Sequence, residues 1–212
     1  MVRTVGSSGI KTMEAIREAG LRLIYEHGYD AMSLRALAAE VGIQQGSLYN
    51  YFHNKQDFLF MLVSEHMENL ITGMETALEG TNTPLDKLKA FIAFHIDYHA
   101  TRKHEVFVNY SELRSFNQDN YRAIVQMRRI YEQRLIDIIT EGQQQGFLAV
   151  RDAKISTYGI LSMLSGICQW FQPEGRLGRE EIVETYMAMA LGALQLEEPG
   201  TAMSTRNQSG LK

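Results

Sequence analysis

The chain has 212 residues, with 21 Lys plus Arg against 25 Asp plus Glu and a net charge of −4. That balance excludes a globally basic, histone-like nucleic-acid binder and leaves room for a local DNA-binding face. Hydrophobic content of 45% and charged content of 22% are those of an ordinary globule. No apolar run reaches the roughly 18 residues of a membrane span. One cysteine, Cys168, excludes an intrachain disulfide and fits a reducing compartment. The first ten residues lack the apolar core of a secretory signal, so a cytoplasmic protein is expected. Three prolines, Pro84, Pro173 and Pro199, suit long helices rather than a many-turned β fold.

Residues 1–10, with Gly6, Ser7, Ser8 and Gly9, are expected to form a flexible arm. Helical periodicity then begins, with Ile16, Ala19, Gly20, Leu23, Ile24 and His27 on one stripe. Gly28 predicts a left-handed stop. Ser33 stands where an N-cap belongs, before Leu34, Leu37, Ala38 and Val41, and Gly42 closes this short helix. A third short helix is predicted over 44–51. Asn54 caps a long fourth helix with Phe58, Leu62, His66, Leu70, Met74 and Leu78 on one face. Thr83 and Pro84 give a second clean start, N-cap then N1. Helices are expected at about 84–101, 103–115, 118–145, 153–171 and 179–196, with a disordered tail over 197–212. The fold class is therefore all-α: a helix-turn-helix domain over 11–53, a linking helix over 54–80, and a helical bundle over 81–196, about nine helices in all.

The most informative stretch runs from Ser33 to Lys55. Two short helices meeting at Gly42-Ile43 have the length and turn chemistry of a helix-turn-helix. In that unit the first helix crosses the phosphates, and the second enters the major groove with its N-terminal residues at the base edges. The second helix here offers amide, hydroxyl and phenol groups: Gln44, Gln45, Ser47, Tyr49 and Tyr51. Gln can pair in bidentate fashion with adenine, and hydroxyls reach phosphate oxygens. Leu48 and Phe52 face the apolar side. Lys55 adds positive charge beside the phosphate path. Residues 1–60 carry 6 basic and 6 acidic side chains, so specific binding must lean on helix N-termini and hydroxyls as well as cations.

These residues strongly resemble the TetR family of bacterial transcriptional regulators. The runs Ser33-Leu34-Arg35-Ala36-Leu37-Ala38, Val41-Gly42-Ile43, Gly46-Ser47-Leu48-Tyr49-Asn50-Tyr51-Phe52 and Asn54-Lys55 follow the family's helix-turn-helix signature. So does Glu26-His27-Gly28-Tyr29-Asp30-Ala31 before them. The resemblance implies an all-α homodimer that represses transcription and responds to a small molecule. It implies that Ser33, Ser47, Tyr51 and Lys55 touch phosphates, and that Gln45 and Tyr49 reach the groove. Gln44 departs from the pattern, which has Ser or Thr as the helix cap there. Trp170-Phe171-Gln172-Pro173-Glu174-Gly175, with Ile182 and Tyr186, resembles the branch that senses acyl-CoA thioesters.

Other constellations carry less. Gly6-Ser7-Ser8-Gly9-Ile10-Lys11-Thr12 lacks the glycine before the lysine and is not a phosphate loop. No nucleophile elbow, zinc-protease pair or dinucleotide fingerprint occurs. His95 and His99 share a helix face and with Asp97 or Glu112 nearby could bind a metal, but two histidines alone rarely do, and a polar or ligand-facing wall is expected. Cys168 beside Trp170 reads as a small core residue. Arg128 lies on an apolar stripe, where it pairs with Glu112 or Asp97 or receives an anion. Effector contacts are expected from Phe107, Asn109, Tyr110, Arg114, Arg128, Met163 and Trp170. The helices at 153–171 and 179–196 are expected to pair with their symmetry mates through Ile182, Tyr186, Met189 and Ala193. The expected partners are operator DNA, a small-molecule effector that is an acyl-CoA or fatty acid, and a second copy of the chain. No cofactor or metal is expected. The alternative is an α-helical enzyme or small-molecule carrier that does not bind DNA.

Overall fold

A computed structural model describes the backbone of residues 5–195 and the side chains of residues 9–195. Among these, no strand forms. The helices are α1 (Val5–His27), α2 (Leu34–Val41), α3 (Gln45–Leu48), α4 (Lys55–Leu78), α5 (Pro84–Thr101), α6 (Lys103–Ser111), α7 (Gln118–Gln144), α8 (Ala153–Ser165), α9 (Ile167–Trp170) and α10 (Arg179–Ala193), with a 3₁₀ turn at Leu113–Ser115. No helix of the described residues is long and apolar enough to cross a membrane.

Local chemistry sets most of these boundaries. Gly28 and Gly42 adopt φ of 82° and 74°, left-handed values that a side chain would resist. The Gly28 N–H donates to Ile24 O, and the Gly42 N–H reaches the Ala38 and Ala39 carbonyls. The Ser33 hydroxyl accepts from the Ala36 N–H, and Asn54 Oδ1 accepts from the Asp57 N–H. At the start of α5, Thr83 caps the Asp86 N–H and Pro84 occupies the first helical position.

Three boundaries differ from expectation, and a fourth expectation is not reached by the described residues. Helix α1 begins at Val5, so residues 5–10 of the expected arm are helical. The expected tail at 197–212 lies outside the described residues. The predicted helix over 103–115 ends at Ser111, because Glu112 leaves the helical line and the chain tightens into the 3₁₀ turn. The predicted helix over 153–171 divides at Gly166 into α8 and α9.

The packing divides the chain into two units: Met1–Ile71 with Arg102–Arg128, and Thr72–Thr101 with Arg129–Lys212. Within the first unit, α6 and the start of α7 pack with the N-terminal helices. The first unit's core joins Ile16, Ile24, Tyr29, Met32, Leu37, Leu48, Phe52, Phe58 and Leu62 to Val108 of α6 and Ile124 of α7. Here α1 and α4 approach closely. A Cβ on Gly20 would lie 2.2 Å from the Phe58 ring, so that crossing admits no side chain at position 20. In the second unit α5 packs against α8, α9 and α10. It buries Leu88, Phe91, Ile92 and Ile96, while α7 buries Tyr131, Leu135, Ile138 and Ile139.

Candidate nucleic-acid interface

Leu48 is fully buried, and this orients the whole of α3. With Leu48 anchored, Gln44, Gln45, Gly46, Tyr49 and Asn50 stand exposed, and Ser47 and Tyr51 are half-buried. Tyr51 packs against the domain core, whereas Tyr49 is 50% exposed and has no share in it. The expected helix over 44–51 is regular only over Gln45–Leu48. Beyond it the N–H groups of Tyr49, Asn50 and Tyr51 donate to carbonyls three residues back, a tightened 3₁₀-like turn. Gln44 occupies the N-cap position with extended backbone, and its side chain makes no capping bond. The departure seen in the sequence thus has a structural counterpart: the Gln44 amide does not fold back onto its own helix.

Ser33 is exposed at the start of α2. Its oxygen accepts from Ala36, which leaves the hydroxyl hydrogen for another acceptor. Lys55 opens α4, half-buried. Its ammonium donates to Asp30 O at 3.1 Å and lies 4.2 Å from the centroid of the Tyr29 ring. Arg22 of α1 pairs with Glu40 of α2, which holds one of the domain's few cations. Ser33, the face of α3 and Lys55 all belong to the first unit.

Residues 16–62 match the family model for bacterial regulatory proteins of the tetR family, and residues 81–194 match that for the tetracyclin repressor-like C-terminal domain. The chain is 32% identical over 155 residues to the fatty acid metabolism regulator protein of Bacillus subtilis, covering 71% of this chain and 79% of that one. The fold is shared with a tetR-family regulatory protein from Rhodococcus RHA1, at a TM-score of 0.82 and 22% identity over 89% of this chain and 99% of that one. It is also shared with AibR, solved in complex with isovaleryl coenzyme A and operator DNA, at a TM-score of 0.77 and 24% identity over 84% of this chain and 97% of that one. The protein belongs to the TetR family. It is a DNA-binding transcriptional regulator, and this sets aside the enzyme or carrier reading.

In this TetR-family regulator the expected effector residues fall in both packing units. In the first, Asn109 is buried and Arg128 half-buried, and the Arg128 guanidinium donates to Asn109 O and, at 3.0 Å, to Asn109 Oδ1. The same guanidinium lies 5.3 Å from the Tyr110 ring centroid. Those three residues come together. Phe107 lies partly exposed against Tyr25, and Arg114 is exposed in the 3₁₀ turn. The two acids considered for Arg128 have other partners: Asp97 pairs with Arg179, and Glu112 accepts from the Tyr29 N–H and the Ser115 hydroxyl. In the second unit Met163 is half-buried, and Trp170, largely exposed, stacks on Tyr186.

His95 and His99 are buried side by side, their rings stacked at 3.8 Å between centroids. His95 bonds Tyr131 Oη at 2.9 Å and Ser165 Oγ at 3.0 Å, while His99 Nδ1–H donates to His95 O at 2.8 Å. Burial, and then the neighbouring His99, hold His95 well below its usual range. Burial likewise pushes His99 down to about 4, against the raising effect of its bond to the His95 carbonyl. Both are neutral near pH 7 and form a polar seam inside the second unit. Among the described residues no group of three His, Cys, Asp or Glu side chains stands together as metal ligands would. Sequence reasoning missed Gln56, whose amide bonds Tyr29, Ser115 and Asn117. Partners so distant in the chain leave no local signal.

Proposed function

We propose that the protein is a homodimeric repressor of the bacterial cytoplasm that leaves a palindromic operator when an acyl-CoA thioester or fatty acid binds its C-terminal half. The observation that carries the effector class is the 32% identity to a regulator of fatty acid metabolism, over 155 residues and 71% of the chain. The AibR complex with isovaleryl coenzyme A and operator DNA lends the fold a precedent. Asn109, Tyr110 and Arg128 offer the polar contacts for such a ligand, with Phe107, Arg114, Met163 and Trp170 as further candidates. The test is thermal shift and operator release with acyl-CoAs and free fatty acids, each as a series of graded chain length. Raised melting temperature and release at the same chain lengths support the reading, and no response across the series refutes the effector class.

The dimer reading rests on two exposed stripes. Ile155, Tyr158, Gly159 and Ser162 face outward on α8, and Thr185, Met189, Gly192 and Ala193 do so on α10. The expected stripe needs one correction: Ile182 is buried within its own protomer, at 3% exposure, because the opposite face of α10 packs on α5. Small residues in both stripes permit close helix approach, and a two-fold dimer matches a palindromic operator.

On the DNA side, Gln44, Gln45 and Tyr49 reach the groove, while Ser33, Ser47, Tyr51 and Lys55 meet phosphates. Lys55→Ala should weaken binding to all sequences and lower the salt slope by about 1 per subunit, since one counterion fewer is released. Gln45→Ala should leave the slope unchanged. It should cost about 1–3 kcal/mol per half-site on operator and relax preference at one base pair. Titrations across a salt series, on operator and on scrambled duplex, separate the two. Equal losses on both duplexes for Gln45→Ala would remove it from the base edges.

A further inference from the structure

The Lys55 ammonium rests on two neighbouring groups, the Tyr29 ring and the Asp30 carbonyl. Both belong to the short turn between α1 and α2, so the position of that turn sets the position of the charge. Tyr29 is itself held at both ends. Its backbone N–H donates to Glu112 Oε1 at 3.4 Å, and its phenol oxygen accepts from Gln56 Nε2 at 3.1 Å. The Gln56 amide has two further partners: Nε2 donates to Ser115 O at 2.6 Å, and Oε1 accepts from the Asn117 N–H at 3.1 Å. Glu112 Oε2 accepts from the Ser115 hydroxyl at 2.8 Å, which closes the network. Leu113 and Phe116, from the same connection between α6 and α7, pack on the core that also buries Tyr29. Burial pushes the Tyr29 phenol up, so the group stays neutral and the Gln56 bond persists at physiological pH.

We propose that Gln56 and Glu112 are positioning residues for operator contact: through Tyr29 they hold Lys55 beside the phosphate path, so that DNA affinity depends on the 112–117 connection. This rests on the reading that Lys55 meets a phosphate. A lysine side chain has large rotamer freedom, and an ammonium already seated on a fixed ring and carbonyl loses less of it on binding. If the turn shifts, the charge stays on the protein but leaves its place. These hydrogen bonds are part-buried, where water can replace a lost partner, so their loss should cost more in binding than in folding.

The test is a double-mutant cycle on a duplex selected from a random library by the purified protein. Binding of wild type, Gln56→Ala, Lys55→Ala and the double variant is measured across a salt series, with melting temperatures alongside. Each single change should weaken binding about tenfold and lower the salt slope. The double variant should bind within about twofold of Lys55→Ala, because Gln56 acts through the lysine. A purely structural role predicts losses that multiply, and that result overturns the inference while leaving the phosphate contact of Lys55 in place. Wild-type affinity for Gln56→Ala also overturns it. Wild-type affinity for Lys55→Ala at every salt concentration overturns both the phosphate reading and the inference. Should Gln56→Ala fail to fold, Glu112→Ala enters the same cycle with the same expectation, since it removes the acceptors of both the Tyr29 N–H and the Ser115 hydroxyl.

Discussion

A His99→Phe protein should keep its stability better than wild type as the pH falls from 6.5 to about 4. The sign follows from where the protons go. Above pH 6.5 the imidazole is neutral in both folded and unfolded chains, and it adds no pH dependence. Below that, the unfolded chain takes up a proton that the buried His99 refuses until about pH 4. Wild-type stability therefore falls with falling pH in this window, by about 1.4 kcal/mol per pH unit for one histidine, on the order of 3 kcal/mol in all. His95, also held down by burial, adds to the loss from the same upper edge. Phenylalanine preserves a flat ring against His95 and removes one titrating group. Urea denaturation of both proteins at steps between pH 7 and pH 4 measures the difference. Identical pH dependence would mean that His99 accepts its proton in the folded state without penalty.

Ile155→Asp combined with Met189→Asp should yield a folded monomer. Ile155 is 71% and Met189 51% exposed in the protomer, so neither aspartate disturbs its core. In a dimer built on α8 and α10, each protomer would instead bury two unpaired carboxylates, at a cost of several kcal/mol. The consequence for DNA is larger than any single contact. Two tethered reading heads present the second half-site with an effective concentration in the millimolar range, which a monomer forfeits. Operator affinity should fall about a hundredfold or more while the melting curve stays cooperative. Sedimentation gives the oligomeric state, and a persistent dimer would move the interface elsewhere.

The parts of this protein that the sequence exposed are those governed by neighbours along the chain. Ser33, Asn54 and Thr83 announce helix starts because a cap acts over three residues. Gly28 and Gly42 announce stops because left-handed backbone excludes side chains. The α4 stripe from Phe58 to Leu78 is buried throughout, as its spacing implies. What stayed hidden depends on distant partners or on which of two apolar faces wins. Helix α10 is apolar on both sides, and nothing local says that Ile182 turns inward while Met189 turns out. The break at Gly166 lies inside an unbroken apolar pattern. Arg128 donates to the backbone carbonyl of Asn109, an acceptor every residue carries and no sequence pattern marks.

The core beneath the DNA-reading helices is not built from the N-terminal residues alone. It is completed by Val108 and Ile124, which the ribosome adds only after α5 has been made. A fragment ending near residue 80 would leave the Leu48 and Phe58 cluster with one wall missing. A chimera that grafts this reading head onto another regulator would have to carry residues 102–128 with it, as a second, non-adjacent insert. Exchange of the first 80 residues alone would therefore leave the Leu48 and Phe58 core without the Val108 and Ile124 side chains that close it.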